Sequence, residues 1–122
     1  MIEPAEKSMV DAFLKTHGDW NAEGDEVLSR TIKTENYAHS MVLAGKIAEL
    51  AEKMDHHPKL TIEWGSVAVT LTTHDAGNKI TAKDIDMAKK ISALGGPAFG
   101  WENRAGLGRD KGRQAADRLL YR

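Results

Sequence analysis

The chain has 122 residues, 41% hydrophobic and 29% charged, with a formal net charge of −1. That size and balance fit one globular domain with a modest core, and near-neutrality gives no global attraction to nucleic acid or to an acidic membrane surface. The absence of cysteine excludes disulfides, thiolate nucleophiles and Cys-based zinc or iron–sulfur sites, and no apolar run approaches the roughly 18 to 20 residues of a membrane span.

In chain order, the start Met1-Ile2-Glu3-Pro4 lacks the basic-then-apolar layout of a signal peptide, so a cytoplasmic location is expected. Pro4 suits the first turn of a helix whose apolar positions Met9, Val10, Phe13 and Leu14 keep helical spacing until His17-Gly18 stops it. Trp20-Asn21 and Glu26 to Lys33 read as a short and a longer strand, separated by the turn-prone Glu23-Gly24-Asp25. From Glu35 to Met54 the residues Tyr37, Met41, Ala44, Ile47, Ala48, Leu50, Ala51 and Met54 form a broad stripe, predicting the longest helix. Pro58 ends it and biases the preceding residue toward extended backbone, so His56 and His57 occupy a helix-to-strand junction. Leu60, Ile62 and Trp64 alternate with polar neighbours, Gly65-Ser66 suggests a hairpin turn, and Val67, Val69 and Leu71 alternate again. By that period His74 faces the polar side with Thr70 and Thr72. Thr81-Ala82-Lys83-Asp84 resembles a capping box opening a helix through Ile85, Met87, Ala88, Ile91 and Leu94, which Gly95-Gly96-Pro97 ends.

His56, His57 and His74, three of the five histidines, fall within 19 residues. Histidine both takes and gives protons near neutral pH, so their convergence would suit paired acid and base work. Each residue also has a structural reading. His56 and His57 could cap a helix C-terminus, Glu52 could be a solvated charge, Asp84 could stabilise a helix start, and Trp64 shares a strand face with Leu60 and Ile62. His17 and His39 read as surface residues. A zinc site is disfavoured because adjacent strand residues point oppositely, and no Gly-x-Ser-x-Gly turn supports serine hydrolysis.

Glu52, three residues, His56-His57-Pro58, five residues, Trp64, nine residues, His74 and nine residues to Asp84 together resemble the signature of pterin-4a-carbinolamine dehydratases. The resemblance runs upstream through Ala51-Glu52-Lys53, Arg30-Thr31-Ile32-Lys33 and Trp20-Asn21, covering roughly residues 3 to 94. It implies an α+β fold, a four-stranded antiparallel sheet with three helices on one face in the order α-β-β-α-β-β-α, assembled as a homodimer or homotetramer through sheet edges and helices. It implies dehydration of 4a-hydroxytetrahydropterin to quinonoid dihydropterin and water, with no metal and no cofactor, the pterin being the substrate. His56 and His74 would then be the acid and base pair, His57 would bind the pterin and assist, and Glu52 would orient one imidazole. Trp64 would form an aromatic wall, Asp84 would support the pocket rim, and Thr73 and Pro58 would complete the substrate-binding set. Some members of this fold also act as binding proteins, one branch as both dehydratase and transcription-factor dimerisation cofactor and others resembling Rubisco assembly chaperones, so a non-enzymatic binding role is the alternative, but all three histidines are present here. The chain departs from common members at Lys59-Leu60 and carries an extra residue within Asp75 to Lys79.

Residues 95–122 carry six Lys and Arg against three Asp and Glu, leaving net −4 on residues 1–94. This basic extension is glycine-rich to Gly108, with a short helix expected from Arg109 to Tyr121, and it is a candidate for docking a protein partner or a neighbouring subunit.

Overall fold

The structure, a computed structural model, describes residues 2–94, so the basic extension and its expected helix lie outside the described residues. The elements are α1 (Lys7–Thr16), β1 (Asn21–Glu23), β2 (Val27–Lys33), α2 (Tyr37–Met54), β3 (Lys59–Glu63), β4 (Ser66–Leu71), a 3₁₀ turn (His74–Ala76) and α3 (Ala82–Ser92). The four strands form one antiparallel sheet in the order β1-β2-β4-β3. This is the α-β-β-α-β-β-α arrangement expected from the sequence.

Register decides which face the helices cover. Leu28 lies opposite Leu71, Ile32 and Ile62 both oppose Val67, and Leu60 opposes Val69. Directly opposed residues share a face, so these side chains form one apolar surface while Ser29, Thr31, Thr61, Ser66 and Thr70 form a polar one. Val10 and Phe13 from α1, Leu43, Ile47 and Ala51 from α2, and Ile85, Ala88 and Ile91 from α3 pack on the apolar face. Arg30 also belongs to that face. It lies 6.0 Å from the centre of the Trp20 ring, and its guanidinium donates to Ser92 Oγ, which also accepts the Trp20 indole N–H at 3.0 Å. A buried aromatic stem with a satisfied polar tip explains why Trp20 sits in the core just ahead of β1.

Local signals set the element ends. Gly24, at φ 57°, turns β1 into β2, and Asn36 caps α2 by accepting the backbone N–H of His39. Pro4 does not enter the first helix. It forms an isolated bridge with Thr81, Ala5 N–H donates to Ile80 O, and α1 starts at Lys7. The buried face of α2 is His39, Ser40, Leu43, Ala44, Ile47 and Ala51. Tyr37, Met41 and Ala48 of the expected stripe fall on the other side of the helical wheel and are exposed. His39, read from sequence as a surface residue, is fully buried, and its Nδ1 accepts the backbone N–H of Glu35 at 2.9 Å, making it part of the helix cap. Among the described residues no helix is long and apolar enough to cross a membrane.

Because Ile47 is fully buried in this core and remote in sequence from the histidines, truncating it should cost stability without changing the chemistry of the site. Ile47→Ala is expected to destabilise by about 2–5 kcal/mol and Ile47→Val by about 0.5–1.5 kcal/mol in urea denaturation.

Candidate functional site

The histidine junction follows from how α2 ends. Asp55 adopts the left-handed conformation, φ 50° and ψ 45°, and the backbone N–H groups of Asp55 and His56 both donate to Ala51 O. That reversal directs His56 inward and His57 outward, the first buried and the second exposed. The chain then enters β3 at Lys59, which lies opposite Thr70 in β4. Continued along the antiparallel ladder, this register brings His56 and His57 beside Thr72 and Thr73. His74 follows in the 3₁₀ turn, exposed as its strand period predicts, and the hairpin thus closes the gap between the two histidine segments.

Asp55, His56, His57, Thr72, Thr73, His74, Asp75 and Lys83 line a half-open cleft of about 190 Å³. A larger cavity, about 620 Å³, lies between α1 and the β1–β2 turn, lined by Val10, Leu14, Ala22 and Ile80 with Lys7, Asp11 and Asp25. It has no imidazole, so the candidate site is chosen by its proton-transfer groups and not by size.

Each imidazole has a different partner. His56 Nε2–H donates to Asp84 Oδ1 at 2.6 Å, with the carboxylate fully buried. His57 Nε2–H donates to Glu52 Oε2 at 2.7 Å in an exposed pair. The His74 Nδ1 lies 2.7 Å from Asn78 Oδ1. With one nitrogen engaged, the nitrogen left for chemistry is Nδ1 on His56 and His57 and Nε2 on His74. Among the described residues, no three His, Asp or Glu side chains converge as metal ligands.

Asp84 is more than a rim residue. It is the N3 residue of the Thr81 capping box, accepting the Thr81 backbone N–H at 2.9 Å, and it also accepts the Thr73 hydroxyl at 2.7 Å. Thr73 and Thr81 hydroxyls are 2.7 Å apart, so with the Thr73 proton given to Asp84, Thr81 donates to Thr73. The structural and the site readings of Asp84 therefore coincide in one carboxylate. Thr73 lines the cleft and joins it to this network, and Glu52 reaches the site only through His57.

Two expected substrate contacts are not brought to the cleft. Trp64 lies beyond the end of β3, at the opposite end of that strand from His57, and is 57% exposed. Its carbonyl accepts from the Ser40 hydroxyl, tying it to the start of α2. Its exposure corrects the core reading, because the strand alternation stops one residue short of it. Pro58 shapes the turn into β3 but does not line the cleft. Lys83 and Asn78 were missed by the sequence reading. Lys83 has a sequence signal, since it precedes the capping Asp84 on the first turn of α3, whereas Asn78 depends on the folding of its loop.

A two-layer α+β fold thus carries a cleft lined by three imidazoles, each with a different hydrogen-bond partner. The chain belongs to the pterin 4 alpha carbinolamine dehydratase family, whose model matches residues 3–94. It is 43% identical over 76 residues to a protein of Nocardia farcinica, covering 62% of this chain and 78% of that one. It is 39% identical over 94 residues to a protein of Thermosynechococcus vestitus, covering 77% of this chain and 97% of that one. Both carry the provisional name pterin-4-alpha-carbinolamine dehydratase. The crystal structure of a transcriptional coactivator/pterin dehydratase from Brucella melitensis superposes with a TM-score of 0.70 at 32% identity, covering 77% of this chain and all of that one.

Removing the Asp84 carboxylate leaves buried donors on Thr73, Thr81 and His56 without their acceptor. Asp84→Ala is expected to lower the unfolding free energy by about 2–4 kcal/mol, measured by urea denaturation. Glu52→Ala, which breaks an exposed pair, should leave the denaturation midpoint nearly unmoved.

Proposed function

We propose that the chain dehydrates a 4a-hydroxytetrahydropterin to the quinonoid dihydropterin and water, using histidine acid and base catalysis without a metal or cofactor. The observation that carries this reading is the convergence of His56, His57 and His74 on one cleft, each held by a separate acceptor. The reaction takes a proton from the ring nitrogen beside the 4a carbon and delivers one to the departing 4a-hydroxyl. Hydroxide is a poor leaving group, so a donor must act at that oxygen while a base acts at nitrogen. A carboxylate on the far nitrogen stabilises the positive charge of an imidazole in its proton-donating form, and both His56 and His57 have that arrangement. Lys83 lines the cleft and would offer its ammonium as a donor to a carbonyl of the bound ring.

Stopped-flow measurement with freshly generated 4a-hydroxytetrahydropterin tests the reading. Wild type should accelerate dehydration and be indifferent to EDTA. His56→Ala and His74→Ala, confirmed folded by circular dichroism, should each lose about 10²–10⁴ in kcat. No acceleration over the uncatalysed rate, or a loss on chelation, would overturn it.

A second reading concerns partners and rests on a separate surface. Tyr37 and Met41, one turn apart on α2, are 43% and 47% exposed. Exposed large apolar side chains grouped this way mark an interaction surface, and self-association as a homodimer or homotetramer is the occupant we favour. Light scattering should find wild type larger than a monomer and Met41→Asp shifted toward monomer. A monomeric wild type would redirect the surface to another protein, the non-enzymatic binding role found in relatives of this fold.

A further inference from the structure

We propose that Asn78 is a positioning residue whose carboxamide oxygen holds His74 in the Nδ1–H tautomer, so that Nε2 presents its lone pair to the bound pterin and acts as the base. The inference rests on the dehydratase reading above and assigns a direction to its proton transfers.

The geometry begins with the loop. Thr73 N–H donates to Lys79 O, while Thr73 O accepts from the Ala76 and Asn78 N–H groups, and Gly77 N–H donates to His74 O. Thr73 and Lys79 also form an isolated bridge. The segment between them is thus closed on itself, and its last turn uses two consecutive left-handed residues, Gly77 at φ 77° and Asn78 at φ 62°. Asparagine is among the few residues with a side chain that adopt this conformation readily. It places Oδ1 2.7 Å from His74 Nδ1, and a carbonyl oxygen only accepts, so Nδ1 must carry the proton.

The contrast with the other two imidazoles gives the role. His56 and His57 face carboxylates, whereas the His74 ring faces a neutral amide, which orients it without supplying a compensating negative charge. Such a ring is suited to enter the cycle neutral and accept a proton. In the step assigned to it, His74 Nε2 takes the proton from the ring nitrogen beside the 4a carbon. The N–H electron pair becomes the new carbon–nitrogen double bond, and the 4a carbon–oxygen bond breaks with its pair remaining on oxygen. The protonated imidazole of His56 or His57 gives its proton to that oxygen, which leaves as water, and solvent exchange restores both rings.

The test combines tautomer and rate in the full-length chain. Nitrogen-15 NMR of His-labelled protein at about pH 8, where neutral imidazole predominates, should show His74 protonated at Nδ1. Asn78→Gly removes the amide at a position whose backbone suits glycine. It should shift His74 toward the Nε2–H form and lower kcat about three- to tenfold, the range of one hydrogen bond, with little change in KM. Asn78→Asp keeps an acceptor of the same shape and should retain the wild-type tautomer, but it gives His74 the carboxylate partner that His56 and His57 have, so its rate should fall below wild type. A wild-type His74 protonated at Nε2, or an Asn78→Gly tautomer identical to wild type, would overturn the inference. An Nδ1–H tautomer in a wild type that does not dehydrate the pterin would overturn the base role through the function it depends on. Efficient turnover with the Nε2–H form would overturn this inference alone.

Discussion

The buried carboxylate of Asp84 is the constraint around which the site is organised. A charge with no exposed surface must be met by donors, and here they come from three parts of the chain: the Thr81 backbone at the start of α3, the Thr73 hydroxyl just beyond β4, and the His56 imidazole at the exit of α2. One acceptor therefore caps a helix, pins the end of a strand and orients the most buried imidazole of the cleft. Moving any of the three elements would leave a donor or the charge itself unsatisfied, and this is what fixes His56 relative to the sheet.

Away from Asp84 the restraint on the imidazoles loosens. His57 meets Glu52 in solvent, and His74 meets Asn78 across a short exposed loop. The three rings differ in partner charge as well as burial: a buried carboxylate, an exposed carboxylate and a neutral amide. These differently partnered rings share one cleft of about 190 Å³.

The Brucella melitensis relative is described as both a transcriptional coactivator and a pterin dehydratase, and in this chain the histidine cleft and the exposed apolar side chains of α2 lie apart. The histidines stand at the C-terminal end of α2, while Tyr37 and Met41 stand at its N-terminal end, roughly 20 Å away along the helix axis. Packing at the apolar patch would leave the cleft open on the same subunit. The large cavity beside α1 belongs to neither surface.

Much of the fold was legible because it depends on local periodicity and breakers. The strand alternation through Val67, Val69 and Leu71, the stop at Pro58 and the capping box at Thr81 each dictate their own structure with little help from distant residues. That Glu52, His56, His57, His74 and Asp84 belong together was an expectation drawn from the family resemblance, and the antiparallel hairpin explains how the two histidine segments come to lie near one another. Helical spacing alone could not decide which side of α2 would pack, so Met41 and Tyr37 were placed on the wrong side and His39 was taken for a surface residue. Nor could alternation show that β3 ends at Glu63, which carries Trp64 away from the histidines. The sequence by itself determined the elements, their order and the chemical types at the site, because these follow from propensity and pattern along the chain. Only the tertiary structure decided the pairing of each imidazole, with Asp84, Glu52 or Asn78, because a hydrogen bond depends on a few tenths of an ångström set by packing and register across the fold.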